Sequence, residues 1–221
     1  MNEFTFLLDK LLPALNEGVV MSVLLIVPSA LIGLGLGIVT GAVRAYGTPI
    51  MQRIGNGYAA LFRGTPLVIQ LFTLYFGLPN IGIYLDPYPA AVIGFSLCSG
   101  AYHSEYIRGG LLSIRRGQLQ AAHALGFSTL STLIWIIIPQ AVRRSLPGCG
   151  NEVVYLIKYS SLAYIITCVE LTGQGKMVAS QTFRFTEVFM VVGCYYLVLV
   201  TMASWGLRRL EQKMAIPGFG H

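Results

Sequence analysis

Charge is what this chain has least of. Of its 221 residues only 11% are Asp, Glu, Lys or Arg, where a water-soluble domain carries about 25%. Such a chain cannot cover a surface that faces water, so a soluble globular protein is excluded. Cysteine is equally uninformative by pattern. Cys98, Cys149, Cys168 and Cys194 lie scattered through apolar segments, with no C-x-x-C spacing. That excludes a disulfide framework and a cysteine metal site, and the four read as small buried hydrophobes. Basic residues are not gathered on one face, so the net charge of +6 does not indicate nucleic acid. No paired carboxylates and no Ser/His/Asp constellation suggest an enzyme. No internal repeat is visible, which argues against a secondary transporter built from inverted halves. Nor is there a nucleotide site. Gly173-Gln174-Gly175-Lys176 resembles a phosphate loop only superficially, because Met177 stands where Ser or Thr must meet magnesium and Glu170 where the first glycine belongs. It reads as a polar loop.

What is present is hydrophobic sequence, 55% of the chain with a mean hydropathy of +0.68. A bilayer core takes about 20 apolar residues per helix. Five segments qualify, over roughly residues 19–43, 58–78, 89–107, 149–169 and 188–207. Together they predict one all-α integral membrane domain over residues 1–221. Within the fourth region, Arg143 and Arg144 should not sit at the bilayer centre. Leu130 to Gln140 therefore reads as a helix along the interface and Asn151 to Val169 as the crossing, with bends at Pro139 and at Pro147-Gly148. Thr65 before Pro66 reads as an N-cap with proline at the first helical position. Gly33, Gly37 and Gly41 recur every four residues and form a stripe for close helix packing.

Charge orients these segments. Arg44, Arg53 and Arg63 follow the first, Arg108, Arg115 and Arg116 the third, and Arg208, Arg209 and Lys213 the fifth. The opposite loops hold Lys10, Lys176 and Arg184 against Glu3, Asp9, Glu17, Asp86, Glu170 and Glu187. The positive-inside rule then puts the N-terminus outside and the C-terminus in the cytoplasm, which five crossings satisfy. The acidic start is the wrong sign for a cleavable signal peptide.

One polar, small-residue stretch interrupts the apolar chain. It runs Gln118-Leu119-Gln120-Ala121-Ala122-His123-Ala124-Leu125-Gly126, and the charge pattern places it in a cytoplasmic loop, residues 108–130. The alanines favour a helix and Gly126 suits its left-handed cap. A short helix with small side chains can sit deep in a partner's groove. His123 reads as a contact or solvated residue, since no second metal ligand is spaced near it.

Intramembrane charges are the other candidates. Glu105, Glu152 and Lys158 lie in or beside apolar segments, where an unpaired charge costs roughly 2.5–3.5 kcal/mol on insertion scales. Each needs a partner or a wet cavity. On a helix, Glu152, Tyr155 and Tyr159 fall near one face, and Lys158 shares it only loosely. Glu152 either lines a translocation cavity and reads a substrate's ammonium group, or forms a structural pair with Lys or Arg.

Gln120-Ala121-Ala122, Gly126, Ile136 and Pro139 resemble the EAA loop of ABC-importer permeases: E-A-A, three residues, G, nine residues, I-x-L-P. The spacing matches throughout. Gln120 replaces the glutamate, keeping length and losing charge, and Ile138 replaces the leucine. Phe62-Arg63-Gly64-Thr65-Pro66-Leu67-Val68-Ile69-Gln70 is similar to the F-R-G-T-P-L-x-x-Q signature of polar amino-acid permeases of the histidine/glutamine type. Gly100-Ala101-Tyr102, Glu105 and Arg108-Gly109-Gly110 fit that group's third-helix ending. Pro139-Gln140-Ala141, Pro147, Asn151, Lys158 and Ser160-Ser161-Leu162 fit its later region, with Tyr159 departing. The likeness covers about residues 16–214.

The resemblance implies a type I ABC-importer transmembrane domain in a bacterial inner membrane. It implies a second permease copy or sister permease, two ATPase subunits that hold ATP and magnesium, and an extracytoplasmic amino-acid-binding protein. No cofactor belongs to this chain. Gln120, Ala121, Ala122, His123, Gly126 and Pro139 would couple to the ATPase. Glu152, Tyr155, Lys158, Ser161, Gln70 and Glu105 are the candidates for the substrate pathway. The rival class is a stand-alone channel or proton-coupled carrier, which needs no ATPase; a scaffold that transports nothing has no use for intramembrane charge.

Overall fold

The computed structural model describes residues 6–214, and among them every regular element is a helix. In chain order these are α1 (Leu7–Tyr46), α2 (Pro49–Gly64), α3 (Leu67–Ile81), α4 (Pro87–Leu112), α5 (Arg116–Ala124), α6 (Thr129–Ile166), α7 (Leu171–Thr182) and α8 (Phe185–Met214). Glu3, counted above among the outside acids, lies beyond the described residues.

Two helices, α1 and α8, are long and apolar enough to cross a membrane, and two bent pairs, α2–α3 and α6–α7, pass the same test together. At 1.5 Å per residue, the 40 residues of α1 extend about 60 Å, roughly twice a bilayer's hydrocarbon core. Only 22% of its most apolar stretch and 11% of that in α8 are buried by the chain itself. Most of their apolar surface therefore faces outward. The inverse holds for α4. It is rich in Gly, Ala and Ser and buries twelve of its side chains or backbone positions. Wrapped by α1, α3 and α6, it needs small residues for close approach and not apolar ones for lipid.

The glycine stripe of α1 supplies that approach, as its spacing predicts. A Cβ at Gly33 would lie 3.0 Å from Ser99, one at Gly41 would lie 2.9 Å from the Ser104 carbonyl, and one at Gly37 would collide with His103. Gly35, two residues from the stripe, faces open space. The packed residues form two apolar clusters. Leu25, Leu71, Phe95, Leu156 and Ile166 join α1, α3, α4 and α6; Leu15, Leu171, Val178, Val188 and Val192 join α1, α7 and α8.

Several expectations are corrected. The helix expected over 58–78 is two helices meeting at 103°. Pro66 pushes Thr65 into extended backbone (φ −109°, ψ 141°), as a residue before proline prefers. Thr65 is not the N-cap of the second helix; Pro66 occupies that position, and the Thr65 hydroxyl donates back to the Leu61 carbonyl. The segment expected to bend at Pro139 and Pro147 is one helix from Thr129 to Ile166. A wider π-helical turn over Leu133–Ile137 precedes Pro139, which absorbs the missing amide and the ring's clash with the preceding turn. The crossing expected to extend to Val169 stops earlier, because Thr167 turns left-handed (φ 65°). Finally, Gly173-Gln174-Gly175-Lys176 is no loop but lies inside α7. The Glu170 carboxylate caps that helix, accepting from the Thr172 and Gly173 amides and from the Tyr196 hydroxyl.

Candidate functional site

The polar stretch of the 108–130 region folds as expected into a short helix, α5, between the ends of α4 and α6. Gly126 ends it at φ 84°. The Phe127 amide reaches the Ala122 carbonyl at 3.0 Å and the Gly126 amide that of His123 at 3.0 Å, closing the last turn with a left-handed glycine cap. Ala122 is buried, while Gln120, Ala121, His123, Ala124 and Gly126 stand exposed. Leu125 is 78% exposed. Among the described residues His123 hydrogen-bonds with the Thr129 hydroxyl alone, at 3.4 Å. Among the described residues no group of His, Cys, Asp and Glu could hold a metal ion. Pro139 lies on α6, more than a turn beyond α5, and shapes the helix that carries α5 back into the bundle.

A cleft of about 430 Å³ opens at the corner between α2 and α3. Arg63 to Val68 form one wall, Cys98 and Tyr102 of α4 a second, and Tyr159 and Leu162 of α6 the third. Gln70 holds the corner. Its Nε2 donates to the Phe62 carbonyl (2.8 Å), the Thr65 carbonyl (3.0 Å) and the Thr65 hydroxyl (3.1 Å). These are groups that the break between the helices leaves open. The Gln70 Oε1 is buried without a partner.

Glu152 is the sharpest feature of α6. It is 2% exposed, and its Oε1 has no hydrogen-bond partner. Among the described residues no lysine or arginine pairs with it; every ion pair falls on Glu105. A buried carboxylate without a counter-charge is costly. Tyr155 and Tyr159 stack on the same helix at 5.9 Å. Lys158 turns outward and sits over the Tyr155 ring at 4.3 Å, so the structural Glu–Lys pair does not form. Ser161 spends its hydroxyl on the Lys158 carbonyl.

Glu105 is differently placed. Its Oε2 accepts from Arg44 (2.8 Å) and Arg63 (2.7 Å), its Oε1 from Arg108 (2.7 Å). Arg44 also reaches Asn56 and Ser104, and Arg63 lies over the Tyr102 ring. One carboxylate thus knots α1, α2 and α4. The sequence flagged the arginines as topology markers, and Arg63 and Arg108 also as parts of the permease signatures, but not as partners of Glu105. Only Arg108, three residues from Glu105, was within reach of a local spacing rule; Arg44 and Arg63 arrive from 61 and 42 residues away.

The comparisons agree with this architecture. Residues 33–216 match the family model described as binding-protein-dependent transport system inner membrane component. The chain is similar to the glutamine transport system permease protein GlnP of Escherichia coli (strain K12), 38% identical over 207 residues, covering 93% of this chain and 94% of that protein. It is also similar to the nopaline transport system permease protein NocM of Agrobacterium fabrum (strain C58), 38% identical over 81% of each chain. A crystal structure of an amino acid ABC transporter with histidines superposes with a TM-score of 0.88 at 28% identity, covering 96% of this chain and 99% of that one. The chain belongs to the family of inner membrane components of binding-protein-dependent transport systems.

Proposed function

We propose that this chain is the conduit and lever of an ATP-driven importer of polar amino acids. It is a transport subunit and not an enzyme; ATP hydrolysis belongs to partner subunits. Five crossings, made by α1, the α2–α3 corner, α4, α6 and α8, put the N-terminus outside and the C-terminus and α5 in the cytoplasm. The arginine distribution supports this orientation. A second permease chain completes the pathway, two ATPase subunits bind from the cytoplasm, and a binding protein delivers substrate from outside the bacterial inner membrane.

The observation that carries the reading is α5, a glycine-capped helix with an exposed small-residue face, standing between two long helices. A force applied there moves the ends of α4 and α6 together. Gln120, Ala121, His123 and Gly126 form the contact, with buried Ala122 seating the helix on the bundle. Mild-detergent extraction should recover an ATPase subunit with this chain; a permease recovered alone, yet active in vesicles without ATP, would instead favour a channel or proton-coupled carrier.

Selectivity resides around Glu152. A substrate ammonium or other cationic head supplies the donor that its carboxylate lacks. Gln70 and Glu105 shape the pathway indirectly, by fixing the α2–α3 corner and the helix ends. Tyr155, Lys158 and Ser161 belong to its outer lining. A hydrogen bond to a charged group contributes about 1.5–3 kcal/mol, so Glu152→Gln should weaken uptake of cationic amino acids roughly tenfold to a hundredfold. Unchanged affinity and selectivity in that variant would sink the assignment. Candidate substrates are ranked by their stimulation of ATPase activity in the reconstituted complex with its binding protein.

A further inference from the structure

A second cavity, also about 430 Å³, lies between α4 and α6 at the end nearest α5. Its volume falls in the range of ligand sites, about 300–1,000 Å³. Gly109, Ser113, Arg144 and Glu105 line it. The polar groups there are unevenly matched. Arg44, Arg63 and Arg108 share the one carboxylate of Glu105, so three positive charges against one negative leave two in excess. Arg108 is not among the lining residues, but its guanidinium bonds Glu105 of the wall at 2.7 Å and keeps a buried Nε–H with no acceptor. Arg144 gives one guanidinium nitrogen to the Ser113 carbonyl at 2.6 Å and is otherwise exposed, as is its neighbour Arg143. Donors and positive charge are in surplus here, and the acceptors are already taken.

We propose that this cavity binds a phosphate-bearing anion, with the headgroup of an anionic membrane lipid as its occupant. The chemistry fits both observations. A phosphate offers acceptor oxygens to Arg144, the basic residue of the wall, with the Glu105-bound arginines adding positive field behind it, and guanidinium groups pair with phosphate in bidentate fashion. A basic pocket between helices at the cytoplasmic leaflet is within reach of such lipids. The orientation rests on the proposed topology, but the charge surplus and the cavity do not. An occupied site would bridge α4 and α6 on the α5 side of Glu152, with Gly148 of its wall one turn before that residue.

Gly109 makes the site testable without altering its charge. It lines the cavity, and a Cβ there meets nothing within 4 Å, so Gly109→Leu fills the space and leaves every arginine in place. The intact permease–ATPase complex is loaded with phosphatidylglycerol or phosphatidylcholine, and retained lipid is counted by native mass spectrometry. The wild-type complex should retain phosphatidylglycerol in preference. Loss of one basic side chain near an anionic headgroup, worth about 1 kcal/mol, should cut that retention about fivefold in Arg144→Gln. Gly109→Leu should cut it as far, and Arg209→Gln, which removes an arginine stacked on Trp205 of α8, should leave it unchanged. Displacement of the lipid by inorganic phosphate would support the anion site with a soluble occupant; resistance to phosphate supports the lipid. Equal retention of the two lipids, or unchanged retention in both cavity variants, overturns the proposal.

Discussion

Glu105→Gln is the perturbation with the best-defined magnitude. The substitution keeps the shape of the side chain and removes the charge that three guanidinium groups share. The three pairs are not equal. Arg44 is 7% exposed and Glu105 29%, so that pair is nearly sheltered, and removing one partner of a buried pair costs about 3–5 kcal/mol. Arg63 and Arg108 are 38% and 34% exposed, and solvent screening limits each of their pairs to about 0–1 kcal/mol. The expected loss is therefore about 3–7 kcal/mol, dominated by Arg44. For a chain of this size that loss lowers the unfolding midpoint by about 6–28 °C. The assay is thermal unfolding of the detergent-purified complex, followed by loss of the monodisperse peak. Arg44→Met combined with Glu105→Gln should be less destabilised than the two single changes added together, because the double variant leaves no sheltered charge without its partner. Arg63→Gln alone should move the midpoint by no more than a few degrees. A midpoint for Glu105→Gln within 2 °C of wild type, judged against the roughly 2–4 °C expected per kcal/mol, would refute the reasoning.

Other consequences follow from the packing and the backbone. Gly37→Val should destabilise by about 1–3 kcal/mol or more through overpacking, because its Cβ collides with His103, whereas Gly35→Ala, facing open space, should be neutral or gain up to about 1 kcal/mol in helix propensity; equal midpoints for the two would contradict the stripe. Gly126→Val forces a branched residue into left-handed backbone at φ 84°, costing about 1–2 kcal/mol. Assayed with the ATPase bound, it should uncouple hydrolysis from uptake, and normal uptake would count against the lever. Gln70→Leu removes the donor that serves two carbonyls and a hydroxyl at the α2–α3 corner. It should cost about 1–3 kcal/mol and raise protease sensitivity around residues 62–66; a cleavage pattern like the wild type's would count against that role.

Much of this protein was legible because its local chemistry is unambiguous. Too little charge for a water-facing surface required a membrane. The alanine run ending in Gly126 folded into the expected capped helix, since propensity and a left-handed glycine act within one turn. The four-residue glycine spacing in α1 already named the face that packs on α4. Hydropathy is weakest where the environment is protein and not lipid: α4, read from the sequence as a crossing over 89–107, is less apolar than α1 and α8 and does not stand beside them as long and apolar enough to cross on its own. Prolines misled in both directions. Pro66 made a 103° corner inside an apparently continuous apolar run, while Pro139 and Pro147 were absorbed into one helix, and whether a proline breaks or bends depends on what refills its missing hydrogen bond.

The sequence by itself determined the solvent, the family, and the short capped helix between α4 and α6. Those properties follow from composition and from spacings shorter than a few turns. Only the tertiary structure decided which intramembrane acid is satisfied. Glu105 and Glu152 look alike in the chain, yet three arginines, two of them from other helices, converge on the first, and none reaches the second. That difference, a spent carboxylate against an open one, depends on contacts between residues dozens of positions apart, which no local pattern encodes.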